Sequence, residues 1–325
     1  MEAEELLAVR DLLRSFVTRF QAVPGEVDLK ARAAARQALD DLGLAELRSS
    51  TPPAATAQEC ALLAEEHGRL PMTTSFVGTT LLAPELLRLL GEAAQPDCAT
   101  PTIALTRDLR FPGPDSSGGL AAWDCDGADS ALCATADGTV TVLELGAAAP
   151  TADLSRAVRT IPKDSPAQEL GRLDPAQYAL WQAFALVMVS SELLGAARSL
   201  VEQSVEYARE RRQYGQAIGS FQAVQHILVD ATVLVEACTS ATRYAAWCID
   251  DQQSGLALKA ARVAKAEANT SLPEVIRAAM QVFGGIAQTW EFPAHLYLRR
   301  ILVGSRTLAT NDDLLVRLAE PEAAP

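Results

Sequence analysis

Tyr207-Ala208-Arg209-Glu210-Arg211-Arg212-Gln213-Tyr214-Gly215-Gln216-Ala217-Ile218-Gly219-Ser220-Phe221-Gln222-Ala223-Val224-Gln225-His226 reads as a helix that stops, turns and starts again. Gly215 and Gly219 tolerate the backbone angles of a helix end, and Ser220 has the chemistry of an N-cap for the restart. Arg211 and Arg212, just before the break, set guanidinium forks beside the newly exposed amides of the next helix, which outlines an anion site. The same arginines have an explanation that needs no ligand, because basic residues in a last helical turn complement the helix dipole.

Working outward, Asp174-Pro175-x-Gln177 has the composition of a capping box with proline at the first helical position, so a long helix is expected from there to about Arg211. Helices from Phe221 to Asp251, from Leu256 to Phe283 and from Pro293 to about Leu302 complete four, and short joints between long amphipathic helices favour an antiparallel bundle. Pro273 lies inside the third of these and is expected to kink or break it.

Upstream, Leu6, Leu7, Val9, Leu12, Leu13, Phe16, Val17 and Phe20 recur at helical spacing, with Pro24-Gly25 as the stop. Further helices are expected from Leu29 to Leu44, Ala57 to His67 and Phe76 to Leu90. Between Ala93 and Pro101 the composition changes. Segments 102–106, 131–135 and 139–143 read as strands, with Asp137-Gly138 as a hairpin turn, and Pro112-Gly113-Pro114 and Ser116-Ser117-Gly118-Gly119 as loops. The expected fold is mainly α: a helical domain over 1–95, a small reduced β-domain over 96–172, a helical bundle over 173–318 and a loose tail over 319–325.

The totals narrow the function. The chain has 325 residues, 49% hydrophobic and only 5% aromatic, and a formal net charge of −13. That charge, without a basic tract, argues against nucleic-acid binding, so any anionic ligand must be met by a few placed arginines. Six cysteines without CxxC spacing and three scattered histidines give no zinc pattern. The acidic start and the lack of an uncharged membrane-length run point to a cytoplasmic protein with free, buried thiols and no membrane partner.

Arg211-x-x-Tyr214-Gly215, followed by Ile218-Gly219-x-Phe221-Gln222-x-Val224-Gln225-His226, resembles the segment that opens the long bundle helix of acyl-CoA dehydrogenases. A second segment is similar to that family at its usual distance: Gln281-Val282-Phe283-Gly284-Gly285-Ile286-Ala287-Gln288-Thr289-Trp290-Glu291, then Leu296-Tyr297-Leu298-Arg299-Arg300. Segment 59–71 also resembles the family's N-terminal domain, though an amphipathic helix ended at Gly68 accounts for the same residues. The resemblance implies the family's fold and an FAD held across a subunit interface. By position, Arg211 would pair with the pyrophosphate, and Gln213 and Tyr214 would line that wall. Phe221 and Gln222 would stand near the adenosine, and Gln281, Gly284 and Gly285 would form a second wall. Ala287 stands where the family usually has glycine.

Other family parts are missing. The ring-binding strand, roughly Leu-Thr-Glu-Pro, is matched only by Leu105-Thr106 before Arg107-Asp108-Leu109-Arg110, and only Trp123-Asp124-Cys125 approximates the Trp-x-Thr strand. The base-bearing Tyr-Glu-Gly-Thr corresponds to Thr307-Leu308-Ala309-Thr310, and the alternative base position to Ala185. Leucine and alanine accept no proton. Glu192 lies two turns beyond Ala185, about 10 Å along the helix; it is a weak catalytic candidate, or a partner for a bundle arginine. Asp312 and Asp313 read as caps of a following helix. The resemblance thus implies the base-lacking partner in a heterotetramer of unlike subunits, sharing FAD with an unlike acyl-CoA dehydrogenase subunit. Its substrate would be a steroid side-chain or other bulky acyl-CoA, and its electron acceptor an electron-transfer flavoprotein. The alternatives are a homomeric dehydrogenase using Glu192, or a non-enzymatic acyl-CoA- or protein-binding scaffold.

Overall fold

The computed structural model describes residues 3–22, 29–91, 99–113, 119–251 and 254–320. Four helices open the chain: α1 (Ala3–Phe20), α2 (Leu29–Asp40), α3 (Ala57–Gly68) and α4 (Ala83–Leu90). In α1 the buried Leu13, Phe16 and Val17 recur at helical spacing and give it one core face. Thr56 and Glu59 cap α3 reciprocally. The helix expected to reach Leu44 ends at Asp40 and resumes as a 3-10 turn, Leu44–Arg48, after Gly43 at φ 66°. The expected start at Phe76 is one π-helical turn, Val77–Leu82, leading into α4. Pro24-Gly25, Cys98, Pro114, residues 116–118 and the tail beyond Glu320 lie outside the described residues.

Among its described residues the middle of the chain holds six strands rather than the three expected. They are β1 (Pro101–Thr106), β2 (Leu120–Trp123), β3 (Ser130–Ala134), β4 (Thr139–Glu144), β5 (Val158–Thr160) and β6 (Ala167–Arg172), in the order β5-β2-β1-β3-β4-β6. β1 and β3 run parallel, and the other pairs are antiparallel. One face of the sheet, with Ile103, Leu105, Trp123, Leu132 and Val140, joins the helical core. The other carries its own small cluster around Ala104, Ala122, Ala131 and Cys133.

The bundle consists of α5 (Pro175–Glu210), α6 (Gln222–Asp250), α7 (Ser254–Phe283) and α8 (Ala294–Gly304), with a short α9 (Asn311–Ala319) added. Asp174 and Gln177 form the expected capping box, at 2.8 and 2.9 Å. Every residue from 183 to 197 of α5 is buried. α5 is long and apolar enough to cross a membrane, but 94% of its apolar window is buried inside the protein, as in a core helix. α7 runs unbroken through Pro273, against expectation. Leu272, Val275 and Ile276 are fully buried around it, and their packing offsets the missing backbone donor.

Candidate functional site

The break between α5 and α6 is built differently from the expected stop and restart. α5 ends at Glu210, before either glycine. Arg212–Gln213 (β7) and Gln216–Ala217 (β8) form a two-stranded hairpin, reversed at Tyr214 (φ 53°) and Gly215 (φ 82°), the left-handed pair a tight hairpin turn requires. The Ile218 N–H donates to the Arg211 carbonyl at 2.8 Å and closes its base. Ser220 is not the N-cap. It sits in a 3-10 turn with its hydroxyl donating to the Ala217 carbonyl at 2.6 Å, and α6 starts after Phe221 without a side-chain cap. Gly219 ends no helix, but a Cβ there would come within 3.0 Å of the Ala208 carbonyl oxygen.

Arg211, Gln213, Tyr214 and Gln222 are exposed, and Phe221 is half-buried with its ring edge-on to Tyr214 at 6.2 Å. At the end of α7, Gln281, Gly284 and Gly285 are exposed too. The Tyr207 ring, one turn before Arg211, lies 5.2 Å from that of Phe283, the residue before Gly284, so both segments share one end of the bundle. Among the described residues, the side chains of Arg211, Gln213, Gln222 and Gln281 make no hydrogen bond or ion pair. Gly284 needs glycine for its φ of 67°. Gly285 has neither reason: its φ is not left-handed, and a Cβ would meet nothing within 4 Å.

Between sheet and bundle, the two segments compared with the family's ring-binding strand and base are joined directly. Leu308 N–H donates to the Leu109 carbonyl at 2.7 Å, and Phe111 N–H to the Leu308 carbonyl at 3.2 Å. Both leucines have positive φ, 60° at Leu109 and 72° at Leu308. Arg110 reinforces the joint by pairing with Asp313 and donating to Thr310 at 3.2 Å. Thr310 is the N-cap of α9, and Asp313 closes its capping box, so the cap stands just ahead of the acidic pair.

Glu192 is fully buried in a charge cluster that ties the three parts of the chain together. Its carboxylate pairs with Arg156 from the sheet domain, lies 3.4 Å from Arg300 Nη1 of α8 and 3.1 Å from His67 Nδ1 of α3. Arg156 also meets Asp124 at 2.6 Å, and Arg300 meets Asp153 at 3.5 Å. Burial alone would raise the Glu192 pKa, but the Arg156 and Arg300 guanidiniums and the His67 hydrogen bond win and hold it well below the usual carboxylate range. Burial pushes the Cys60 and Cys238 thiols up to about 12, which leaves them unreactive.

A helical domain, a small sheet and a long-helix bundle in this arrangement make up the fold of the acyl-CoA dehydrogenase family. The model of the acyl-CoA dehydrogenase C-terminal domain matches residues 184–308. Acyl-CoA dehydrogenase IpdE2 of Mycobacterium tuberculosis is 31% identical over 270 residues, covering 80% of this chain and 76% of that protein. The chain therefore belongs to the acyl-CoA dehydrogenase family, oxidoreductases of CH–CH bonds whose members bind FAD. Two solved structures share the whole fold. A Tcur3481–Tcur3483 steroid acyl-CoA dehydrogenase variant has a TM-score of 0.76 at 24% identity, over 97% of this chain and 96% of that one. The ChsE4–ChsE5 complex from Mycobacterium tuberculosis has 0.76 at 19% identity, over 99% of each chain.

The two halves of an FAD site fare differently in this chain. The unpartnered Arg211, Gln213, Gln222 and Gln281 and the open backbone at Gly285 fit a nucleotide's pyrophosphate and adenosine. The ring half does not fit. The backbone groups of Leu109, Phe111 and Leu308 that could bond a flavin are spent on one another, and Leu308 carries no carboxylate.

Proposed function

We propose that this chain is the partner subunit of a mixed acyl-CoA dehydrogenase: it receives the nucleotide end of an FAD whose ring, catalytic base and substrate pocket belong to an unlike subunit. The observation that carries this is Gly285, a glycine with no conformational or packing reason among the described residues, beside polar side chains that have no partner among them. A backbone left bare there suits close approach by a ligand from outside. FAD, when bound, accepts the hydride. The role of this chain is to hold its anionic tail with Arg211, Gln213 and Tyr214, its adenosine with Phe221 and Gln222, and its other flank with Gln281, Gly284 and Gly285.

The surroundings support an unlike partner. Along α6, Val229, Val233, Tyr244 and Trp247 are exposed at helical spacing, an apolar face that suits a second subunit. Glu192, enclosed by two guanidiniums and a histidine, is a structural charge in this reading and not a base. Likeness to a steroid acyl-CoA dehydrogenase favours steroid side-chain or other bulky acyl-CoA thioesters as substrate, and the family's usual acceptor, an electron-transfer flavoprotein, takes the electrons.

The test is expression of the chain alone and with a neighbouring unlike subunit, recording flavin absorbance and native mass. The chain alone is expected colourless, the mixed assembly yellow, and the mixed assembly with Arg211→Ala depleted of flavin. A yellow, active homomer whose activity dies in Glu192→Gln would replace this reading with the homomeric one. Flavin absent from every mixture would leave the scaffold.

A further inference from the structure

A cavity of about 700 Å³ lies where α2 meets the sheet, lined by no residue of the α5–α6 hairpin, and the dehydrogenase reading gives it no role. Its charged lining is four guanidiniums, Arg32, Arg36, Arg156 and Arg159, against one carboxylate, Asp126. In a chain of net charge −13 that is a local inversion of sign. Arg156 is spent on Glu192 and Asp124. The other three have one carboxylate of the lining, Asp126, between them. Asp126 Oδ1 alone faces two of them, 2.7 Å from Arg32 Nε and 4.0 Å from Arg36 Nη1, with Asp40 as a further neighbour of Arg36. Arg159 donates Nε to the Gly146 carbonyl at 2.8 Å and meets no carboxylate among the described residues.

The walls are shaped to leave that volume open. Gly127, Ala128, Ala148, Ala149 and Ala157 line the cavity with almost no side chain. Gly127 has a further constraint: at φ 77°, its Cβ would lie 2.2 Å from Arg36 Cδ, so the Arg36 stem lies over the turn between β2 and β3.

We propose that this cavity is an oxyanion site that takes a phosphoryl group between Arg32, Arg36 and Arg159. Guanidinium forks match the oxygen spacing of phosphate, and a half-buried setting strengthens each charge-assisted bond. The site is independent of the FAD wall, which stands on the bundle at Arg211.

Isothermal titration of the chain with inorganic phosphate, in chloride buffer at matched ionic strength, tests it. Saturable binding is expected, weakened about tenfold or more in Arg159→Gln and in Arg36→Gln, and unchanged in Arg317→Gln. Circular dichroism confirms that each variant is folded; if one of the two is not, the other decides. Binding that survives both substitutions in folded protein, a loss in Arg317→Gln, or no response beyond that of chloride overturns the proposal.

Discussion

The Leu308 N–H donates to the Leu109 carbonyl at 2.7 Å, and each leucine holds a left-handed φ to make that bond. One lies in the link after β1 and the other in the link after α8, so the sheet and the bundle are joined main chain to main chain. A leucine in that region costs about 1–2 kcal/mol. The joint persists because Leu308 is buried.

Substitution separates these two effects. Leu308→Ala removes a buried side chain and is expected to destabilise the chain by about 2–4 kcal/mol. Leu109→Gly relieves the backbone while losing only a half-buried side chain, so its cost is expected within about 1 kcal/mol of zero. Urea denaturation of both variants checks the order. Equal losses would mean the two leucines are held by something other than this packing.

The charge cluster gives a second expectation. It contains three carboxylates, Asp124, Asp153 and Glu192, against two guanidiniums, Arg156 and Arg300. Removing a cation is therefore worse than removing an anion. Arg156→Met should cost about 3–5 kcal/mol, and Glu192→Gln clearly less. The sign with pH follows from two lowered values. The Glu192 carboxyl, depressed in the folded state, contributes stability above its unfolded pKa of about 4.3 that is lost as pH falls through the folded value. Burial lowers His67 against the pull of Glu192, so below about pH 6.5 the unfolded chain takes up a proton that the folded chain resists. Both slopes run toward acid lability. Melting temperature followed from pH 7 down to pH 4 should fall in the native chain, and less steeply in His67→Phe above pH 5.

The helical frame was legible because its signals are local: the Asp174 capping box and the apolar spacing of α1 and α5 stand in consecutive turns. β5 is three residues long and β6 an exposed edge without alternation, so neither announces itself. No residue type marks Leu109 or Leu308 for positive φ. The partners of Glu192 come from positions 67, 156 and 300, which only the fold brings together, so a bundle-arginine partner, met by Arg300, could be read for Glu192 but not His67 or Arg156. The cofactor wall was nameable only by family likeness.

Lys265 gives a basic-side expectation. It is fully buried, donates to the Gly304 carbonyl at 2.9 Å and to Asn269, and has no carboxylate partner among the described residues, so burial pushes its ammonium down to about 7. Between pH 7 and about 10.4 the unfolded chain holds a proton that the folded chain has released, so folding stability rises with pH across that window. Lys265→Met should flatten the rise, measured as urea midpoints at pH 7, 8 and 9.

At Gly285 stability and cofactor binding should part company. Gly285→Val adds a side chain into open space on an exposed 3-10 turn, so the melting temperature should stay within a few degrees of the parent. In the mixed assembly the same side chain would stand where the cofactor's flank approaches, and flavin content should fall. Loss of stability without loss of flavin would show that the glycine serves the turn alone.

Gly195 should behave in the opposite way. A Cβ there would lie 1.9 Å from the Glu65 carbonyl oxygen, and one at Gly68 would lie 2.0 Å from that of Glu192, so α3 and α5 cross with backbones in contact at two reciprocal points. Backbone cannot step aside as a flexible side chain can. Gly195→Ala must therefore separate the helices, at a cost of about 1–3 kcal/mol or more, although alanine is the better helix former by about 1 kcal/mol. The same separation pulls His67, one residue before Gly68, away from Glu192. Gly195→Ala should thus lower the urea midpoint and also flatten the acid-side slope assigned to His67. A variant that loses stability but keeps that slope would show that the crossing and the charge cluster are independent.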